Sequence, residues 1–104
     1  MMIKIHTDNS LEGTERMETY FTNVVETALT RFEENITRID VYLGDENNGK
    51  FGLDDKRCTI EAHMAGRPPL AVVNHSDTIE KAVNGSLDKM KKVLNTTFSK
   101  LRNH

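Results

Sequence analysis

Cysteine occurs once in this chain, at position 58, and proline only twice, side by side at 68 and 69. A single thiol cannot form an internal disulfide, so packing has to hold the fold, and the composition suits a reducing cytoplasm. No apolar run approaches the ~18 residues that a membrane-spanning helix needs. The opening MMIKIHTDNS has no apolar core of a secretory signal. These absences lead us to expect a cytoplasmic protein with no membrane partner. At 104 residues, 37% hydrophobic and 29% charged, the chain is expected to be one ordinary globular domain, residues 1–104, with a single core.

Chemistry-bearing constellations are also scarce. Nothing pairs a general acid with a base, and no glycine-rich loop is built to cradle phosphates. His6, His63, His75 and His104 are scattered along the chain without metal-ligand spacing. In GDENNGKFGLDDK (44–56), Asp45, Asn47 and Gly49 loosely imitate a calcium loop. Its twelfth position, however, is Lys56 rather than a bidentate glutamate, so a solvated connection is expected. Cys58 and His63 are five apart on one predicted strand and project to opposite faces, which excludes a local thiolate pair and favours a buried thiol. We therefore expect a non-enzyme with no cofactor, no metal and no small-molecule substrate.

What is present is periodicity. MIKIH (2–6) alternates as a short strand. Thr14 can cap a helix whose first turn holds Glu15 and whose apolar stripe runs Met17, Tyr20, Phe21, Val24, Val25, Ala28, Leu29 and Phe32. ITRIDVYL (36–43) and RCTIEAHM (57–64) alternate again. AGRPP (65–69) reads as a turn, because proline cannot donate to a central ladder, and LAVVNH (70–75) as a fourth strand. Ser76 or Asp77 can cap a long final helix. The order β-α-β-β-β-α predicts an α+β fold: a four-stranded sheet with both helices packed on one face, of the double-stranded-RNA-binding-like kind. Its other face would carry Arg38, Asp40, Tyr42, Arg57, Thr59, Glu61 and His63, a polar mixture suited to an antiparallel sheet with one wetted side.

Charge is unevenly spread. The net charge is −2, yet from Ile79 to His104 six bases face two acids, while the remainder holds eight bases and fourteen acids. With Lys81 placed at zero and ~100° per residue, Ile79, Val83, Leu87, Met90, Val93, Leu94, Phe98 and Leu101 fall between about 120° and 260°. Lys89, Lys92, Lys100, Thr96 and Ser99 fall between about 0° and 100°, and Lys91 flanks the stripe near 280°. Gly85 lies near 40° on the polar side at a cost of about 1 kcal/mol against alanine. Core packing does not explain it there; close approach of a partner's backbone would, and a merely tolerated glycine is the equal alternative. A lysine row offers point charges for phosphate rather than sequence-specific readout.

Ala82-Val83-Asn84 followed by Leu87-Asp88-Lys89-Met90-Lys91-Lys92-Val93-Leu94 resembles the second-helix pattern of the ribosome hibernation-promoting factor family, also called ribosome-associated inhibitor or sigma-54 modulation proteins. DDKRCTIEAHMAGRPPLAV (54–72) is similar to its short, single-domain members. The resemblance spans essentially the whole chain. It implies binding to the small ribosomal subunit and its rRNA, in the channel used by messenger and transfer RNA, so that idle ribosomes are silenced. It implies rRNA contacts from Lys89 and Lys92, which match basic positions of the family helix. Lys81, Lys91, Lys100 and Arg102 are further expected contacts, and Arg57 a lesser one. Two departures stand out: Glu80 where the family often has an aromatic, and a first helix rich in glutamate (Glu15, Glu18, Glu26, Glu33, Glu34). No dimerisation domain is expected after His104, so ribosome pairing would need another factor. The competing expectation is a protein-interaction module of the same fold, docking through the acidic helix or a sheet edge.

Overall fold

A computed structural model of the chain describes residues 1–8, 13–46 and 55–102, with backbone alone for residues 100–102. Alternation and helical spacing become the expected order: β1 (Met2–Thr7), α1 (Glu15–Leu29), β2 (Arg38–Asp45), β3 (Lys56–Met64), β4 (Arg67–Ser76) and α2 (Ile79–Arg102). A single 3-10 turn, Thr30–Phe32, closes α1. Thr14 caps α1 through its hydroxyl, which accepts from Met17 N at 3.1 Å. At the start of α2 the cap is Thr78, whose hydroxyl accepts from Lys81 N at 3.1 Å. Neither expected cap serves: Ser76 donates to Asp77 at 3.3 Å, and Asp77 turns to the Lys81 ammonium at 3.2 Å.

The sheet order is β1-β2-β3-β4. β2–β3 and β3–β4 are antiparallel, but β1 runs parallel to β2, with Ile3 opposite Ile39 and Ile5 opposite Val41. The sheet is therefore mixed rather than wholly antiparallel. The reason is the connection: β1 and β2 are joined through α1, and a helical crossover returns the chain in the same direction. A second difference concerns Pro68 and Pro69, which lie inside β4 rather than in the turn. β4 is an edge strand, and its register with β3 is broken between Ala62 and Met64, opposite the two prolines, so neither is placed in a regular ladder position that needs a donor. The turn shrinks to Ala65–Gly66, where Gly66 adopts φ +73. The calcium-like stretch at residues 47–54 lies outside the described residues.

One core fills the space between the sheet and the two helices. Ile39, Val41, Leu43, Cys58, Ile60 and Ala62 point into it from β2 and β3; Phe21, Val25 and Leu29 come from α1; Val83, Leu87, Met90 and Leu94 come from α2. The 120–260° stripe of α2 is thus the buried one. Ser86 is the only polar side chain of α2 buried with it among the described residues, and it donates to the Cys58 carbonyl at 2.7 Å, which satisfies the hydroxyl. Gly85 lies outside that stripe but is reached by the β4 side chain Asn74: a Cβ there would run into its carboxamide. The glycine is explained by the protein's own packing, since it lets α2 approach the edge strand, and not by a partner's backbone.

Leu94 is completely buried. Truncation to alanine is expected to cost about 2–5 kcal/mol, read as a lowered denaturation midpoint with an unchanged slope. Burial also pushes the Cys58 thiol up to about 11. In native buffer Cys58 should resist thiol reagents and react fully once the chain is unfolded in denaturant, as mass spectrometry would show.

Candidate nucleic-acid interface

α2 rotates its apolar stripe onto the sheet, so the opposite side of the helix is left to water, and Lys81, Lys89 and Lys92 are all exposed there. Exposure does not make them equivalent. Lys81 is engaged by Asp77 one turn earlier, and the hydrogen bond from Lys81 holds the Asp77 carboxyl below its usual range. Lys89 bends toward β4 and donates from Nζ to the Val73 carbonyl at 2.7 Å. Lys92 has no partner for its ammonium among the described residues. Lys91 is half-buried, as its position beside the stripe implies, in a groove between the helices with Tyr20, Asn23, Val24, Thr27 and Ala28. The side chains of Lys100 and Arg102 lie outside the described residues.

Arg57 is on the sheet's outer face, away from α2. Its guanidinium binds Asp8 at 3.1 Å and Glu46 at 3.2 Å. Glu46 is held below the ordinary carboxylate range mainly by its hydrogen bond to His75 and further by Arg57, against a smaller cost of burial. A cation so engaged must exchange partners before it can meet a phosphate. The sequence-predicted contacts therefore divide: the structure brings Lys89 and Lys92 together on one helical face and sets Arg57 apart.

The outer face also holds what sequence reasoning missed. His6 and His63, scattered in the chain, converge on Asp40, a carboxylate only 3% exposed although it belongs to the polar face. His6 Nε2 lies 2.9 Å from Asp40 Oδ1, and His63 Nε2 lies 3.1 Å from Oδ2 and 2.7 Å from Glu61. Arg38 Nε donates to Asp40 Oδ2 at 2.8 Å. His6 stacks on Tyr42 with centroids 4.6 Å apart, as their register across β1 and β2 requires. Only strand pairing brings these groups together; the alternation at His63, Glu61 and Asp40 was visible, but not which strands were neighbours. Asp40, Glu61 and His63 offer ligand atoms within 4.8 Å of one another. Arg38 already occupies that space as the counterion, so a metal ion would have to displace it.

Burial alone would raise the Asp40 pKa, but hydrogen bonds from His6 and Arg38, with the arginine's charge, outweigh it and hold the carboxyl below its ordinary 3.8. A depressed folded-state pKa means that the ionised form stabilises the fold. That contribution is complete above about pH 4 and is lost as pH falls through the folded value. Acid unfolding followed by circular dichroism should therefore show a steeper stability loss below pH 4 in the native protein than in Asp40→Asn.

Glu80, standing where the resembling family often has an aromatic, accepts a hydrogen bond from the Tyr20 hydroxyl of α1 at 3.0 Å. That bond and the carboxylate's charge raise the Tyr20 pKa. An aromatic ring thus borders the start of α2 after all, supplied by the other helix.

The model of the family described as sigma-54 modulation proteins and S30EA ribosomal proteins matches residues 3–102. This chain belongs to that family, and so to a class of ribosome-associated proteins. No individually curated protein sequence matches it. Among solved structures it is similar to the N-terminal domain of Protein Y from Thermus thermophilus, with a TM-score of 0.71 and 18% identity, covering 93% of this chain and 99% of that one. It is likewise similar to a ribosomal subunit interface protein from Coxiella burnetii, with a TM-score of 0.71 and 15% identity over 95% and 99% of the two chains. At such identities the likeness establishes the fold: an α+β arrangement with a four-stranded mixed sheet and two helices. No helix among the described residues is long and apolar enough to cross a membrane.

Proposed function

We propose that this protein binds the small ribosomal subunit through the exposed face of α2, with Lys92 and Lys89 on rRNA phosphates, and silences idle ribosomes by filling the channel for messenger and transfer RNA. The single observation that carries the reading is the placement of Lys92 in a chain of this family. Its ammonium, unpartnered among the described residues, stands on the solvent side of α2, opposite the stripe that packs on the sheet. Structured RNA is read through shape, phosphates and 2′-hydroxyls, for which point charges beside Thr96 and Ser99 are suited. The acidic body disfavours other orientations, because fourteen carboxylates outside α2 repel phosphate. The similar Coxiella burnetii protein is a ribosomal subunit interface protein, which agrees with such a location. In this reading the chain acts by occlusion in the cytoplasm, without catalysis, cofactor or small-molecule substrate.

Docking through a sheet edge has less support. The Lys89 ammonium covers the Val73 carbonyl on the β4 edge, and a charge laid along an edge discourages strand addition. The acidic first helix would favour a cationic protein partner, and such a charge-driven contact would also weaken with salt, whereas docking through an apolar interface would show little salt dependence.

Salt titration of binding to purified small subunits tests the proposal. Lys92→Gln should weaken binding and reduce the slope of log affinity against log salt by about 0.7–0.9, the increment for one phosphate contact. Lys89→Gln should do less per residue, because its charge must first leave Val73. The double variant should retain native circular dichroism. Unchanged affinity and slope in the double variant would sink the assignment of α2 as the RNA face.

A further inference from the structure

Where the ends of the two helices meet, Arg31, Phe32, Asn35, Asn95, Phe98 and Ser99 line a cavity of about 310 Å³. This is within the range of small-ligand sites. Its floor is aromatic: Phe32 is buried, and the half-buried Phe98 ring lies 5.8 Å from it, tilted by 32°. The Arg31 guanidinium sits 4.6 Å over the Phe32 ring and donates to the Asn95 carboxamide oxygen, so its plane is fixed before any ligand arrives. The walls are polar and partly unsatisfied. Asn95 still has its NH2 group to offer, and among the described residues neither the Asn35 carboxamide nor the Ser99 hydroxyl has a partner. No carboxylate lines the cavity. Lys92 is three residues before Asn95 and therefore its neighbour on the helix surface.

We propose that this cavity takes one unstacked nucleobase of single-stranded RNA, with the adjoining phosphate on Lys92. The chemistry selects that occupant. The half-buried Phe98 ring and the Arg31 guanidinium suit a π-face, and the carboxamides and hydroxyl of the walls suit the polar edge of a base. The cationic side chains Arg31 and Lys92 exclude a cationic ligand and attract an anionic one. A base still paired in a duplex cannot enter, so the cavity would add a preference for unpaired RNA to the salt-dependent contacts of α2. The inference rests on the RNA-binding reading above, yet a different surface carries it.

The test uses the full chain and two RNA probes: hexamers of uridine and adenosine, and a duplex of similar length. The hexamers should shift the NMR signals of the Phe98 ring together with those of Asn95 and Ser99, whereas the duplex, even when docked on Lys92, should leave the Phe98 ring signals in place. Phe98→Leu keeps apolar volume but removes the ring; it should weaken hexamer binding roughly 5- to 100-fold, the worth of one base–aromatic stack. Phe98→Tyr should restore it. Asn95→Asp, an exposed isosteric change, should weaken it as well, with circular dichroism unchanged in all three variants. The cavity assignment is overturned if hexamers leave these signals unmoved, or if Phe98→Leu and Asn95→Asp bind as the native protein does, even when small-subunit binding retains its Lys92-dependent salt slope. Pocket shifts without small-subunit binding would uphold the cavity and refute the ribosomal reading instead. Uridine or adenosine monophosphate binding more tightly than the hexamers would make the occupant a free nucleotide and overturn the RNA assignment.

Discussion

The rotation of α2 about its own axis is the constraint on which the rest of the surface depends. Val83, Leu87, Met90 and Leu94 are almost wholly removed from water against the sheet. A shift of even one residue would turn the helix by about 100° and bring lysines onto the core. Two smaller contacts fix the same register. The Ser86 hydroxyl reaches the Cys58 carbonyl, and Gly85 leaves room for Asn74. Apolar burial gives the helix its preferred side, while the hydrogen bond and the missing Cβ select one angle and depth within it.

From that rotation follows a sorting of charge. The chain carries fourteen bases, but several of those in view are already matched: Arg57 by Asp8 and Glu46, Arg38 by Asp40, Lys81 by Asp77. Pairs such as Lys81–Asp77 add little stability, being exposed and screened. Their importance lies in removing cations from competition for an external anion. Lys92 has no such tie among the described residues. A protein with net charge −2 can thereby present a local positive site without being basic as a whole.

The two sheet faces solve different problems. The inner face is apolar and shared by both helices. The outer face is wet but still contains a nearly buried carboxylate, Asp40, which needs His6, Arg38 and His63 around it. An unpaired ion at that depth would be costly, and surrounding it with donors reverses the effect of burial on its proton affinity. The outer face is therefore a cross-linked polar layer spanning β1, β2 and β3.

By itself the sequence determined the period of each element, because apolar alternation and helical spacing are local properties of side-chain direction. The strand at RCTIEAHM, the cap at Thr14, the buried thiol at Cys58 and the wet side of α2 were all readable on that basis. So was the intermediate standing of Lys91. Neighbourhood between distant segments was not, since it depends on which strands pair and which strand is left at an edge. Only the tertiary structure could place Pro68 and Pro69 in a strand, because proline is tolerated where no ladder donor is needed. Only strand pairing could bring His6 and His63 onto Asp40, across 34 residues in the first case. Helix-on-sheet packing alone assigned Gly85 to Asn74 and Lys89 to Val73 O. Periodicity says which side of an element meets water, and pairing decides what else is waiting there.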